Sequence, residues 1–216
     1  MLELLIKAVL AYLLGSLVGS LILGRLLGGV DIRTQGSGNA GATNAMRILG
    51  RRIALAVFVI DFLKGWAATG LLARATLPLV TPAEAALAAW NLPVCGIAAM
   101  LGHVYPLWFG LRGGKGVATL VGVMLGISLA WVGVFALGWI VTVLTTGYVG
   151  LASMIGALAV AVFAALGAQG SRGPLVAFAL VAALLVIYTH RANIGRMRAH
   201  TESRARKLWL LGARRG

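Results

Sequence analysis

Long apolar runs alternate with short polar ones along this chain, at a spacing that suits a bilayer. A helix needs about 20 apolar residues to cross a hydrocarbon core of about 30 Å. Runs of that length predict spans over roughly 4–27, 53–73, 85–103 and 174–190. The stretch 117–167 is apolar throughout and carries no Asp, Glu, Lys or Arg. It is far too long for one crossing, so three short spans are expected there, with a turn near TTGY at 145–148. AQGSRGP at 168–174 reads as another turn from its Gly, Ser and Pro content. Open sheet edges in lipid would leave backbone groups unpaired at several kcal/mol each, so the spans are helices. The run from Leu4 to Leu27 lacks an Ala-x-Ala-type cleavage site and is read as a retained span rather than a signal peptide.

Charge then sets the sides. Arg33, Arg47, Arg51 and Arg52 lie in the loop 31–52, Arg112 and Lys115 lie in the next polar stretch, and eight cations follow residue 190. The N-terminus, the connector 74–84 and the turn 168–174 hold one cation each. The positive-inside rule therefore puts the three cation-rich segments on the cytoplasmic face and the N-terminus outside. The expectation is an all-α, polytopic integral membrane protein of seven transmembrane helices. It forms a single domain over 1–216, with a basic cytoplasmic tail from about 191 to 216.

Composition supports this class. The chain is 60% hydrophobic, with a mean hydropathy of +0.96. Its net charge of +14 would suggest nucleic acid in a soluble protein. Here it fits a membrane face rich in anionic lipid, and no nucleic-acid motif accompanies it. One cysteine, Cys95, excludes an intrachain disulfide and any cysteine-based metal site. Five carboxylates without clustering cannot build an oxygen-rich metal site, so neither a metal nor a cofactor is expected.

Three polar cassettes interrupt the apolar pattern: GSGNAGATNAMR at 36–47, GHVYPLWFGLRGGKGVAT at 102–119 and THRANIGRMRAHTE at 189–202. Each offers small residues and cations to an anion. In the first, Gly36, Gly38 and Gly41 permit positive φ and close backbone approach, so their amides could form an anion-binding concavity. Ser37, Asn39, Thr43 and Asn44 add neutral polar groups, and Arg47 adds a fork suited to phosphate or carboxylate. In the second, Lys115 stands among Gly113, Gly114 and Gly116 at the expected start of a helix, where orphan amides and the helix dipole favour an anion. It is not a Walker A loop: Phe109 stands where the first glycine is required and Gly116 where Ser or Thr is required. In the third, His190 and Asn193 share a face if the helix continues. Asp61 and Lys64, at i and i+3 inside the second span, are expected to form an internal ion pair that ties that span to the site. His103 reads as a polar span end or as a donor that supports the site from behind.

The motifs GSGNAGATNAMR, DFLKG (61–65), GHVYPLWFGLRGGKGVAT, YVGLAS (148–153) and HRANIGRM (190–197) resemble those of the bacterial acyl-phosphate-dependent glycerol-3-phosphate acyltransferase (PlsY) family, from about residue 11 to 202. The resemblance implies a seven-helix enzyme of the bacterial inner membrane with its active site on the cytoplasmic face. It implies transfer of an acyl group from acyl-phosphate to glycerol-3-phosphate, giving 1-acyl-glycerol-3-phosphate (lysophosphatidic acid) and phosphate in phospholipid synthesis. The acyl-phosphate comes from a separate peripheral enzyme. Carried over by motif, the functional positions are Ser37, Arg47, Lys115, His190 and Asn193. Thr119 and Ser153 join the cassette glycines and polar residues as candidate substrate contacts. Ala40, Gly150, Ala192 and His200 depart from the usual Pro, Ser, Glu and Gly of the family pattern. Two other classes fit the sequence less well. A lipid-phosphate transporter would show paired repeats and midplane charges. A CDP-alcohol phosphotransferase would need a string of aspartates, which this sequence lacks.

Overall fold

The computed structural model describes residues 1–78, 80–167, 173–205 and 208–210. Among these residues every regular element is helical. The chain forms two compact units, Met1–Ser128 and Leu129–Gly216.

The first unit begins with α1 (Leu2–Gly15) and α2 (Gly19–Leu26), which meet at a 42° bend. The expected first span is therefore a broken one. Helix α3 (Ala42–Ile48) carries the second half of the first cassette and leads into α4 (Arg51–Trp66). A π turn and a 3₁₀ turn prolong α4 to Arg74. A short α5 (Ala85–Ala88) precedes α6 (Asn91–Val104), and α7 (Val117–Ile127) closes the unit.

Glycine lets these helices approach closely. A Cβ at Gly15 would strike the Ala99 carbonyl and one at Gly102 the Tyr12 carbonyl, so α1 and α6 pack backbone to backbone. Gly65 on α4 sits against Thr119, and Gly122 on α7 against the Phe62 carbonyl. Such small-residue seams replace the hydrophobic drive that lipid cannot supply between helices. Toward the other end of the unit Lys7 donates to Glu3 at 2.6 Å and to the Ala73 carbonyl, while Glu3 accepts from the Ala83 amide.

The second unit holds α8 (Leu129–Thr146), α9 (Val149–Leu166), α10 (Gly173–Thr189) and α11 (Arg191–Arg198). Residues 117–167 thus divide into three helices as expected, broken at Ser128 and at Gly147–Tyr148. The turn predicted at 168–174 falls mostly outside the described residues. The tail packs as well as carrying charge: Ala205 donates to the Gly147 carbonyl, Leu210 to Leu144, and the Trp209 indole to Thr145. The Arg204 guanidinium lies over Tyr148 at 4.7 Å and Trp209 at 4.1 Å. Carbonyls left over at the end of α8 are satisfied in this way.

Among the described residues, four helical segments are long and apolar enough to cross a membrane: Arg51–Arg74, Ala85–Phe109, Leu129–Thr146 and Val149–Leu166. Two bent pairs, Leu2–Gly15 with Gly19–Leu26 and Gly173–Thr189 with Arg191–Arg198, bring the number to six when each counts as one span. Helix α7, with 11 residues, is about 16 Å long at the usual rise.

Candidate active site

In the first unit, the loop before α3 is shaped by one buried amide. Asn44 is 1% exposed. Its Oδ1 accepts from the Ser37 amide at 2.9 Å, and its Nδ2 donates to the Ile32 and Gln35 carbonyls at 2.9 and 3.0 Å. Gly36 and Gly38 take φ of +60° and +71°, as expected of the turn. Gly41 does not: at φ −122° it is the extended N-cap of α3, and a Cβ there would press on the Asn39 side chain at 2.7 Å. Two amides that could have faced an anion are engaged inside the loop, Ser37 with Asn44 and Gly38 with the Gln35 carbonyl. Side chains are what this loop leaves at the surface. Ser37, Thr43 and Arg47 are exposed, and Asn39 is half-buried.

An arginine ties this loop to the second cassette. Asp31 caps the 3₁₀ turn Ile32–Thr34 and grips the Arg33 guanidinium at 2.6–3.1 Å. That hydrogen bond holds the Asp31 carboxyl below the usual range and raises Arg33 above its own. Arg33 then donates to the Phe109 and Arg112 carbonyls, both at 2.7 Å.

The second cassette wraps the end of α6. The Gly113 and Gly114 amides donate to the Val104 and His103 carbonyls, capping the helix rather than facing outward. Gly116, at φ +80°, is the N-cap of α7. Lys115 is half-buried between them, at a helix start as expected. Thr119 is wholly buried, and its hydroxyl is one of two buried side-chain atoms without a hydrogen bond among the described residues. Gly114 is also where the two cassettes meet: a Cβ there would strike the His103 Nε2 and lie 2.9 Å from the Ala40 carbonyl.

Behind this contact lies the expected ion pair, with a third member that sequence spacing did not show. Lys64 Nζ is 2.9 Å from Asp61 Oδ1 and 2.9 Å from His103 Nδ1.

In the second unit, the helix does not continue through the third cassette. It bends by 53° at His190, which is the N-cap of α11. His190 is 3% exposed. Its Nδ1 is 2.7 Å from the Val186 carbonyl, which can only accept, so Nδ1 carries a proton. Asn193 donates to Glu202 Oε1 and Arg196 to Glu202 Oε2, both at 2.6 Å. Gly150, where the family pattern has serine, abuts the Asn193 side chain: a Cβ there would lie 2.9 Å from Nδ2. Ser153 is buried, and its hydroxyl donates to the Val149 carbonyl of its own helix.

A model of the glycerol-3-phosphate acyltransferase family matches residues 5–200. The chain belongs to that family. It is 46% identical over 205 residues to a glycerol-3-phosphate acyltransferase of Geobacter sulfurreducens, covering 94% of this chain and 98% of the relative. It is 42% identical to one of Brucella suis over 198 residues, covering 91% and 90%. Two crystal structures of PlsY, an integral membrane glycerol 3-phosphate acyltransferase, are similar in fold. The glycerol 3-phosphate form aligns with a TM-score of 0.79 at 36% identity, covering 93% of this chain and 94% of that one. The lysophosphatidic acid form aligns with the same score at 35% identity. This chain is accordingly an all-helical integral membrane acyltransferase.

Against that family background, the first unit brings the first two cassettes together at Ala40 and Gly114 and leaves Ser37 and Arg47 exposed near the Arg33 tie. The second unit brings His190 and Asn193 to one helix bend. Asn44, Gly113, Gly114 and Ser153 have their polar groups engaged in the scaffold. Asp31, Arg33, His103 and Glu202 emerge as supporting residues. Arg33, His103 and Glu202 lie in or beside the polar cassettes, whereas Asp31 carried no signal in the sequence.

Proposed function

We propose that this acyltransferase moves an acyl group from acyl-phosphate to glycerol-3-phosphate, giving 1-acyl-glycerol-3-phosphate and inorganic phosphate. The observation that carries the proposal is the meeting of two cation-bearing cassettes at Gly114, in a chain with five carboxylates in all. Such a site suits two phosphate-bearing reactants.

Acyl-phosphate is a mixed anhydride with a good leaving group. The glycerol-3-phosphate hydroxyl oxygen forms a bond to the acyl carbon, and the bond from that carbon to the phosphate oxygen breaks. The hydroxyl proton passes to a phosphate oxygen, so the products balance without a protein carboxylate. Lys115 and Arg47 neutralise phosphate charge, and Ser37 orients a reactant. His190 and Asn193 serve the same reaction by holding a phosphate or the attacking hydroxyl in place. Holding both reactants aligned can supply as much as about 7–11 kcal/mol of the barrier. The acyl-phosphate is delivered by a separate peripheral enzyme, and the lipid product stays in the membrane.

We further infer seven crossings, with the N-terminus outside and the cassettes on the cytoplasmic face of the bacterial inner membrane. The two bent pairs and the four long helices account for six of these, and α7 for the seventh. Single cysteines placed in each polar loop of a Cys95→Ala background test this, and labelling of position 37 from outside intact cells overturns it.

The purified protein, incubated with acyl-phosphate and labelled glycerol-3-phosphate, should yield labelled lysophosphatidic acid after lipid extraction. No product with acyl-phosphate refutes the proposal. Product only with acyl-coenzyme A or acyl-carrier protein moves the enzyme to another donor class.

A further inference from the structure

The buried cluster of Asp61, Lys64 and His103 has no place in the chemistry above, yet it touches the loop that carries Lys115. The three side chains are 1%, 3% and 3% exposed. Burying such charges is costly unless each finds its partners, and here the count closes. The ammonium of Lys64 has three N–H bonds and three acceptors at 2.9 Å: the Leu17 carbonyl, Asp61 Oδ1 and His103 Nδ1. Asp61 Oδ1 also accepts from the Gly19 amide at 3.1 Å. Leu17 and Gly19 are groups freed by the break between α1 and α2, so the cluster is what satisfies that break.

The ammonium fixes the histidine. A protonated Nδ1 would aim its hydrogen at Lys64, 2.9 Å away. With Lys64 donating as an ammonium, Nδ1 is the acceptor and the ring is neutral with its proton on Nε2; Asp61 Oδ1 lies farther from Nδ1, at 3.4 Å. That edge of the ring lies against Gly114, where a Cβ would strike Nε2 and the Ala40 carbonyl stands close behind. The backbone of the same residue holds the same loop, because the His103 carbonyl accepts from the Gly114 amide at 3.1 Å. The Ala40 carbonyl in turn accepts from Ser20, just past the helix break. One chain of contacts thus runs from the break through Asp61, Lys64 and His103 to Gly114, and returns through Ala40 and Ser20.

We propose that Asp61, Lys64 and His103 are positioning residues that set Lys115 against the first cassette, with the neutral His103 ring as the seat on which Gly113 and Gly114 rest. The inference depends on the reading of Lys115 as a phosphate-binding residue. A seat displaced by an ångström would weaken phosphate binding by an amount of the order seen for misplaced groups in other sites, tenfold or more.

The test compares wild type with His103→Asn, which keeps an acceptor for Lys64 but removes the ring from Gly114. A second variant, Asp61→Asn/Lys64→Met, removes both charges together and leaves neither unpaired. Three quantities are measured in detergent: KM and kcat for glycerol-3-phosphate at saturating acyl-phosphate, the thermal midpoint from exposure of the buried Cys95 thiol, and the ¹⁵N spectrum of the histidines, with His103 assigned by its absence in His103→Asn. The expected result for a folded His103→Asn is a KM about tenfold higher or more, with a midpoint within a few degrees of wild type. Wild-type His103 should be neutral with Nε2 protonated. A wild-type KM in either folded variant overturns the proposal, since a purely structural cluster would change the midpoint and the folded fraction alone. A His103 protonated at Nδ1 overturns it independently of turnover. A wild type that acylates nothing refutes the proposed function instead and leaves the histidine spectrum to decide the cluster.

Discussion

Removing the Asn44 amide should open the first cassette before it harms anything else. Asn44→Ala deletes three hydrogen bonds of 2.9–3.0 Å. The losses are unequal. The Ile32 and Gln35 carbonyls keep backbone donors, Gln35 at 3.4 Å and Gly38 at 3.1 Å. The Ser37 amide has only Asn44. Counting about 1 kcal/mol for the Ser37 bond, which water can partly replace, and about 0.5 kcal/mol for each carbonyl gives about 2 kcal/mol. That corresponds to about a 30-fold rise in the open population of the loop. Amide exchange of peptides spanning 32–44 should accelerate by about that factor, and kcat/KM should fall by about 10–30-fold. Asn44→Asp should be worse. Its Oδ1 can still accept from Ser37, but its second oxygen would face two carbonyls and add a negative charge beside the proposed phosphate site. The scaffold reading fails if activity is lost while exchange in 32–44 stays at the wild-type rate, because Asn44 would then be a substrate contact. It fails equally if exchange accelerates and kcat/KM does not change.

Lys115→Ala should abolish turnover with the thermal midpoint retained, and Lys115→Arg should recover little, since a planar fork does not replace a point charge; near-normal kinetics for Lys115→Ala would return the residue to a membrane-face anchor. His190→Gln or His190→Asn should keep measurable activity if a substrate phosphate oxygen takes the proton; an acid limb in the wild-type pH–rate profile that vanishes in these variants, with a drop of about 10²–10⁴, would make His190 the base. Asp31 is held below the ordinary carboxylate range by its hydrogen bond to Arg33, so its contribution is complete above the unfolded value of about 3.9 and is lost as pH falls through the folded one. The midpoint gap between wild type and Asp31→Asn should be constant from about pH 8 to 5 and close at lower pH, and a gap that persists into acid would show that charge is not its source. Gly122→Ala drives a Cβ into the Phe62 carbonyl and should cost about 1–3 kcal/mol. Gly133→Ala meets nothing within 4 Å and should be neutral or slightly stabilising; equal effects at the two sites would contradict the close α4–α7 seam.

The apolar runs foretold the helices well, because in lipid both composition and length are constrained. They also foretold the three-way division of 117–167. The breaks were less legible. The first span reads as continuous because Leu17 and Val18 are as apolar as their neighbours; the groups that satisfy the break, Asp61 and Lys64, lie on α4, more than 40 residues further along the chain. The bend at His190 is hidden for a related reason, since nothing in HRAN distinguishes a continuing helix from an N-cap. The i, i+3 spacing of Asp61 and Lys64 did announce an ion pair. Its histidine partner was invisible, because His103 lies on another helix. Glycine was the least transparent signal. Gly36 and Gly38 do take positive φ, but Gly113 and Gly114 are small because α6 leaves no room, and spacing cannot separate those reasons.

The engaged amides change how the site must work. In a phosphate loop built on backbone donors, glycines face the ligand, and affinity survives the loss of a side chain. Here the Gly113 and Gly114 amides cap α6, and the Ser37 and Gly38 amides close their own turn. The positive charge of the two cassettes is then carried by side chains, Arg47 in the first and Arg112 and Lys115 in the second, mounted on short pieces held by internal hydrogen bonds. Such a site depends on placement more than on the number of donors. Its sensitivity should extend to residues that never touch a reactant: Asn44, which fixes the turn, Arg33, which joins the two cassettes, and His103, on which the lysine loop rests. A chain with few acids is suited to this arrangement, because every carboxylate near a cationic site would compete with the phosphates. The acids it does keep near the cassettes are already bound to cations or amides: Asp31 to Arg33, Asp61 to Lys64, and Glu202 to Arg196 and Asn193.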